Sequence, residues 1–204
     1  MDHDAIKRPR PDRPIHDLHA RRWSPYAFDD RPVAEDDLRS LFEAARWTAS
    51  SYNEQPWAYI VATKADPEAF AKMLACLVEA NQAWAGAAPV LTIGCVRKTF
   101  RKDGKPNAAA EHDLGAASFA LTLEAVSRGL YVHQMIGILP DKVRETFGVP
   151  DDVAPLTALA IGHLGDPSTL PENLRTRDVT PKPRRPLAEF VFGDAWGHAS
   201  PLIG

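Results

Sequence analysis

Four short apolar runs, set among helix-like segments, most constrain what this chain can fold into. Residues 57–63 carry Tyr59, Ile60 and Val61, types that favour extended backbone. Residues 89–96 are apolar at successive positions, so both faces of such a strand would be covered and it belongs inside a sheet. Residues 130–134 and 156–162 supply a third and a fourth strand. Helical periodicity fills the intervals. In 35–49, Leu38, Leu41, Phe42 and Ala45 fall on one face. Asp66-Pro67 reads as a cap followed by Pro at the first helical position, and that helix runs through Phe70, Leu74 and Leu77 towards Asn81. Residues 111–128 form a long helix ended by Gly129, residues 140–147 a shorter one ended by Gly148, and residues 15–22 a short first helix. Helices first, then strands alternating with helices, gives an α+β or α/β class and not a simple dinucleotide-binding unit.

The helix over 111–128 is rich in small residues: Gly115, Ala116, Ala117, Ser118 and Ala120. Such a surface lets another helix approach closely, so this helix is expected to be buried, at a subunit contact. Residues 1–14 are polar and Pro-rich and read as a mobile segment. Residues 15–204 read as a single domain, of which about 166–204, rich in Pro and charge, form an extended arm wrapped over something else.

The 204 residues suffice for one domain with a substantial core, at 45% hydrophobic and 25% charged content. A net charge of −3 gives no reason to expect nucleic acid or an anionic membrane as partner. No apolar run is long enough to span a bilayer, and the charged N-terminus lacks the apolar stretch of a secretory signal. Cys76 and Cys95 sit in a helical and a strand pattern and read as buried small hydrophobes, which fits a reducing, cytoplasmic setting. No spacing of Cys and His marks a zinc site, so no metal is expected.

Polar residues gather at four places. The loop Ser50-Ser51-Tyr52-Asn53-Glu54-Gln55-Pro56-Trp57 sets two hydroxyls and two amides before a strand, as either a polar turn or a ligand loop. Arg21-Arg22-Trp23-Ser24-Pro25-Tyr26 offers guanidinium groups and a hydroxyl suited to phosphate, or simply a solvated helix end. The third is the strand end running from His133 through Gln134, Met135 and Ile136 to Gly137, where glycine permits close backbone approach. A second basic stretch, Lys182-Pro183-Arg184-Arg185, could complete an anion site built from both ends of the chain. His133 lacks an identified carboxylate partner and reads as structural. Glu111, His112 and Asp113 point different ways around a helix and do not make a triad.

In order and spacing, these motifs resemble the flavin-dependent nitroreductase family, over nearly the whole chain. The resemblance implies an α+β fold with a central, mostly antiparallel sheet flanked by helices, and a C-terminal arm exchanged across a homodimer with two shared sites. It implies FMN as cofactor. Arg22 and Ser24, with Trp23 in the same motif, lie at the phosphate; Arg184 and Arg185 close over it. Ser50, Ser51, Asn53 and Gln55 reach the flavin of the other subunit. Asn81 meets the pyrimidine edge, Gln134 and Met135 pack along the ring, and the backbone of Ile136 or Gly137 points at N5. Tyr26 departs from the pattern, standing where the family usually has Arg or Lys. The implied activity is ping-pong hydride transfer through flavin N5 from NADPH or NADH to nitroaromatic, quinone or similar acceptors, with no certain side-chain catalyst. The alternatives are a flavin-using relative with other chemistry (dehalogenation, flavin fragmentation, azoline oxidation) and a non-catalytic flavin-binding dimer.

Overall fold

The computed structural model describes residues 7–9 and 11–203. In chain order the elements are α1 (Asp17–Arg21), α2 (Glu35–Arg46), β1 (Trp57–Thr63), α3 (Pro67–Leu74), α4 (Glu79–Ala85), β2 (Val90–Arg97), α5 (Ala110–Ser127), β3 (Tyr131–Met135), α6 (Pro140–Phe147), β4 (Val153–Gly162) and α7 (Glu172–Val179). The four strands form one sheet in the order β1-β2-β4-β3. Every neighbouring pair is antiparallel. The apolar second run is internal to the sheet, as its composition requires.

Side chains of the two central strands alternate between two cores. Leu91, Ile93 and Cys95 of β2 and Ala158 and Ala160 of β4 join Phe70 and Met73 of α3, Trp84 of α4 and Val143 of α6. Val90, Leu159 and Ile161 face the other way, onto Leu41 and Ala45 of α2 and Ala117, Leu121 and Ala125 of α5. The sheet is thus the middle layer of three. Thr92, fully buried, is satisfied by donating to the Ile60 carbonyl at 2.7 Å. Both cysteines are free and buried, and burial pushes the Cys95 thiol up to about 11.

The structure corrects the sequence reading in several elements. The helix expected to run from Pro67 to Asn81 is two helices. Leu77 leaves the helix to form a β-bridge with Ile138, and the Val78 N–H donates to the Gly137 carbonyl at 3.1 Å. A tertiary backbone pairing has displaced the local helical one. α2 ends at Arg46, short of Ala49, and β4 begins at Val153, before Leu156. The segment from Asp166 is not extended at its start: it holds α7, whose Leu174 and Asp178 are buried. The expectation for residues 1–14 falls partly outside the described residues, which omit 1–6 and 10. Lys7, within that segment, is docked: its Nζ donates to the Arg177 and Thr180 carbonyls at 3.0 and 2.6 Å. Among the described residues no helix is long and apolar enough to cross a membrane, and no cluster of ligating side chains could hold a metal ion.

Candidate functional site

The loop before β1 has an unusual backbone. Tyr52, Asn53 and Gln55 adopt positive φ of 53°, 56° and 49°. Left-handed geometry at non-glycine residues costs on the order of 1–3 kcal/mol each unless the surroundings enforce it, and Asn tolerates it best. Here the surroundings do. Ser50 Oγ accepts the Gln55 N–H at 3.0 Å, and the Gln55 amide donates to the Asn53 carbonyl and side chain at 3.2 Å. Ser51 N–H donates to Asp113 Oδ2 at 3.0 Å. Glu54 Oε1 accepts the Arg101 N–H at 2.8 Å, and the Tyr52 ring lies edge-on to Phe100. Asp113, Arg101 and Glu54 were not singled out from sequence as loop-holding residues. Their partners lie 47 or 62 positions away, and nothing in a single sequence announces such pairing.

The segment after α1 is pinned to the sheet. Asp29 N–H donates to the His163 carbonyl and Gly165 N–H to the Ala27 carbonyl, around a bridge between Phe28 and Leu164. Tyr26 N–H donates to the buried carboxylate of Asp178 at 2.6 Å, tying the segment to α7. Trp23 is buried in the core rather than open to a ligand, its indole N–H has no partner among the described residues, and Lys7 Nζ stands 5.0 Å over the ring. Ser24 is exposed. Arg22 is partly buried, and among the described residues no carboxylate pairs with it. Burial, and then the positive charge of Arg184, lower its pKa. Lys7 is lowered likewise by burial and by Lys182, with Asp178 opposing. The two ends of the chain therefore bring Arg22, Arg184, Lys7 and Lys182 into one cationic region. Arg184 is exposed, donating to the Lys182 and Pro183 carbonyls, and Arg185 lies over Phe190 at 5.7 Å.

Along β3, Tyr131 and Met135 face the first core while Val132 faces the second. His133 is on the Tyr131 side, its ring 4.8 Å from Tyr26 and 4.3 Å from Trp84. Its Nδ1 donates to the Pro25 carbonyl at 2.8 Å. Burial lowers its pKa, and that hydrogen bond only partly opposes the effect. His133 is a structural imidazole that joins β3 to the Arg22 segment. Gln134 turns the other way, its amide donating to Ser118 O at 3.1 Å and Thr122 Oγ1 at 2.9 Å on α5. Met135 is core.

Beyond β3 the chain opens. Ile136 is 79% exposed, and among the described residues no acceptor pairs with the backbone N–H of Ile136 or Gly137. Gly137 is closely packed within the chain itself: a Cβ there would lie 2.5 Å from Asn81 Nδ2 and 2.9 Å from Val78 Cγ2, so those side chains would have to move to admit one. Asn81 donates to the Gly137 carbonyl at 3.0 Å, so it shapes this turn.

The sheet separates the groups. The Ser50–Gln55 loop enters β1, one edge strand, whereas Ile136 and Gly137 leave β3, the opposite edge. Three interstrand spacings, about 14 Å, lie between those edges. The loop's hydrogen bonds and ring contacts run to Asp113, Arg101 and Phe100, and none runs to the Arg22, Tyr26 or Gly137 groups.

The model of the nitroreductase family matches residues 20–163, from the arginine segment through β4. The chain belongs to the nitroreductase family. A solved structure described as an oxidoreductase containing FMN is 36% identical and superposes with a TM-score of 0.87, over 92% of this chain and 95% of that one. An uncharacterized 15.4 kDa protein of Mycolicibacterium smegmatis is 39% identical over 125 residues, 61% of this chain and 83% of that protein. The major NAD(P)H-flavin oxidoreductase of Aliivibrio fischeri is 47% identical over 47 residues, 23% of this chain and 22% of its own. The three-layer arrangement with its antiparallel sheet is thus the fold of this family.

Proposed function

We propose that this chain is an FMN-dependent oxidoreductase that takes reducing equivalents from NADPH or NADH and delivers them to a nitroaromatic, a quinone or a similar small acceptor. The observation that carries the reading is Arg22: a guanidinium partly removed from water, pressed by the like charge of Arg184 and given no carboxylate among the described residues. Such a group calls for an anion from outside the chain, and a phosphate matches guanidinium geometry. The remaining donors fit the same ligand. Arg22 and Arg184 would hold the phosphate with Ser24 beside them, and the free N–H groups of Ile136 and Gly137 would meet a polar ring edge. The names of the FMN-containing and NAD(P)H-flavin relatives support the choice.

Bound there, FMN would supply the two-electron chemistry linking nicotinamide to acceptor. The chain's own part is to bind, orient and shield. His133, desolvated and tied to Pro25, braces the Tyr26 and Trp84 rings and moves no proton. Ser51 and Asn53, at the far edge of the sheet, would serve the site of a second copy, which makes the working form a homodimer. The apolar side chains of the arm support that assembly: Phe190 is 49%, Trp196 91% and Leu202 93% exposed in the single chain. Two buried, unpaired thiols accord with a cytoplasmic setting.

Tyr26 favours keeping one second reading. Its ring packs edge-on against Trp84 at 5.1 Å and brings no charge where the resemblance leads one to expect a cation. A flavin-using relative with different chemistry would tolerate that. An anaerobic titration of the FMN-loaded protein with NADPH and then NADH separates the two. Bleaching of the flavin band within seconds to minutes supports the reductase, whereas a yellow protein that neither nucleotide reduces would favour the second reading. Replacing Arg22→Ala should weaken FMN binding roughly tenfold or more, since a hydrogen bond to a charged group is worth about 1.5–3 kcal/mol. Unchanged affinity would remove Arg22 from the site.

A further inference from the structure

The left-handed run Tyr52, Asn53 and Gln55 needs an anchor, and most of its contacts are internal to the turn. Asn53 N–H donates to Ser50 O and Glu54 N–H to Ser51 O, both at 3.0 Å. The Glu54–Arg101 contact leads to an exposed loop. The tie to a rigid element is Asp113. Its residue is 2% exposed, and its two oxygens face different donors: Oδ2 the Ser51 N–H at 3.0 Å, and Oδ1 the Nδ1 of the exposed His112 at 3.1 Å. Asp113 sits in the first turn of α5, whose following turns are fixed in the core by Leu114, Ala117 and Leu121. A buried carboxylate is costly unless its lone pairs are met, and here one of them is met by the loop.

We infer that Asp113 is a positioning residue for the ligand loop. From α5 it fixes Ser51 and so sets where Ser50, Ser51 and Asn53 present their polar groups. The inference rests on the proposed FMN site. An aspartate that served stability alone would leave ligand affinity unchanged.

The test uses full-length protein, FMN binding followed by flavin fluorescence, and amide exchange resolved at Ser51. Asp113→Leu keeps the approximate shape and removes both acceptors, whereas Asp113→Asn keeps an oxygen for the Ser51 N–H. In the wild type the Ser51 amide should be protected from exchange. In Asp113→Leu the amides of the loop should exchange faster and FMN should bind about tenfold more weakly, the size of one charge-assisted hydrogen bond. Asp113→Asn should stay within about threefold of wild type on both readouts, because its side-chain carbonyl can still accept. An unprotected Ser51 amide in the wild type would overturn the inference. So would an Asp113→Leu protein with wild-type FMN affinity while Arg22→Ala loses it, an outcome that leaves the FMN site standing. A wild type that takes up no FMN would instead sink the cofactor reading, and the role of Asp113 with it. Should Asp113→Leu not fold, Ser51→Pro removes the same N–H. Ser50, at φ −144° and ψ 158°, already has the conformation that precedes proline. Ser51→Pro should bind FMN more weakly than Ser51→Ala, and equal affinities would refute the inference.

Discussion

At the scale of single residues, this protein places charges and rings where water is scarce and then supplies partners for most of them. His133 is the clearest case for a pH measurement. Burial holds its folded-state pKa below the ordinary value of 6.5. The unfolded chain therefore takes up a proton more readily than the folded one, and stability falls as pH drops through that region. His163 is lowered by burial as well and adds to the same trend. Acidification from about pH 7.5 to 5 should lower the Tm of the wild type more than that of His133→Gln, with the slope left in the variant belonging to His163 and to carboxylates. Equal slopes in thermal melts would show that His133 is not held neutral by the fold. The polar identities of Ser50, Ser51, Asn53 and Arg22 were legible in sequence because their order along the chain is distinctive. Asp113 stands out in the sequence only as part of Glu111-His112-Asp113, and although consecutive helical residues are expected to point different ways, His112 Nδ1 comes within 3.1 Å of Asp113 Oδ1. That its carboxylate holds Ser51 depends on packing between α5 and a loop 62 positions earlier.

Among elements, the strands were the most readable and the connections the least. β2 announces itself because both of its faces are buried, so nearly every position is apolar. The break between α3 and α4 carries no such mark. Leu74, Leu77 and Asn81 keep helical spacing, but the backbone at Leu77 and Val78 is claimed by Ile138 and Gly137. α7 escaped notice because its sequence is polar and buries little besides Leu174 and Asp178. The segment carrying Arg22 depends on a comparably close fit. A Cβ at Gly165 would lie 2.5 Å from the Phe28 backbone carbon and oxygen, groups that cannot turn aside. Gly165→Ala should therefore separate Phe28 from Leu164 and cost roughly 2–4 kcal/mol, measurable by denaturant melts. It should also weaken FMN binding through displacement of Arg22. A variant with wild-type stability would show that this bridge is dispensable.

For the whole molecule, the residues from 181 onward contribute little to the core of a single chain and present Phe190, Trp196 and Leu202 to solvent. Such side chains are expected to be covered by a second copy. Deletion of 181–204 should leave a folded body that runs as a monomer in light scattering and binds FMN poorly. A truncated protein that still dimerises would assign the dimer contact to α5 and its small residues instead. The placement of ligand groups at opposite edges of the β1-β2-β4-β3 sheet has a genetic consequence. If each site takes Arg22 from one chain and the Ser50–Gln55 loop from the other, two defective alleles can complement. Arg22→Ala and Asp113→Leu homodimers would each carry one fault in both sites. A mixed dimer would gather both faults into one site and leave its twin intact. Co-expression of the two defective chains should then recover flavin binding of wild-type affinity, which neither homodimer reaches, at one sound site per heterodimer.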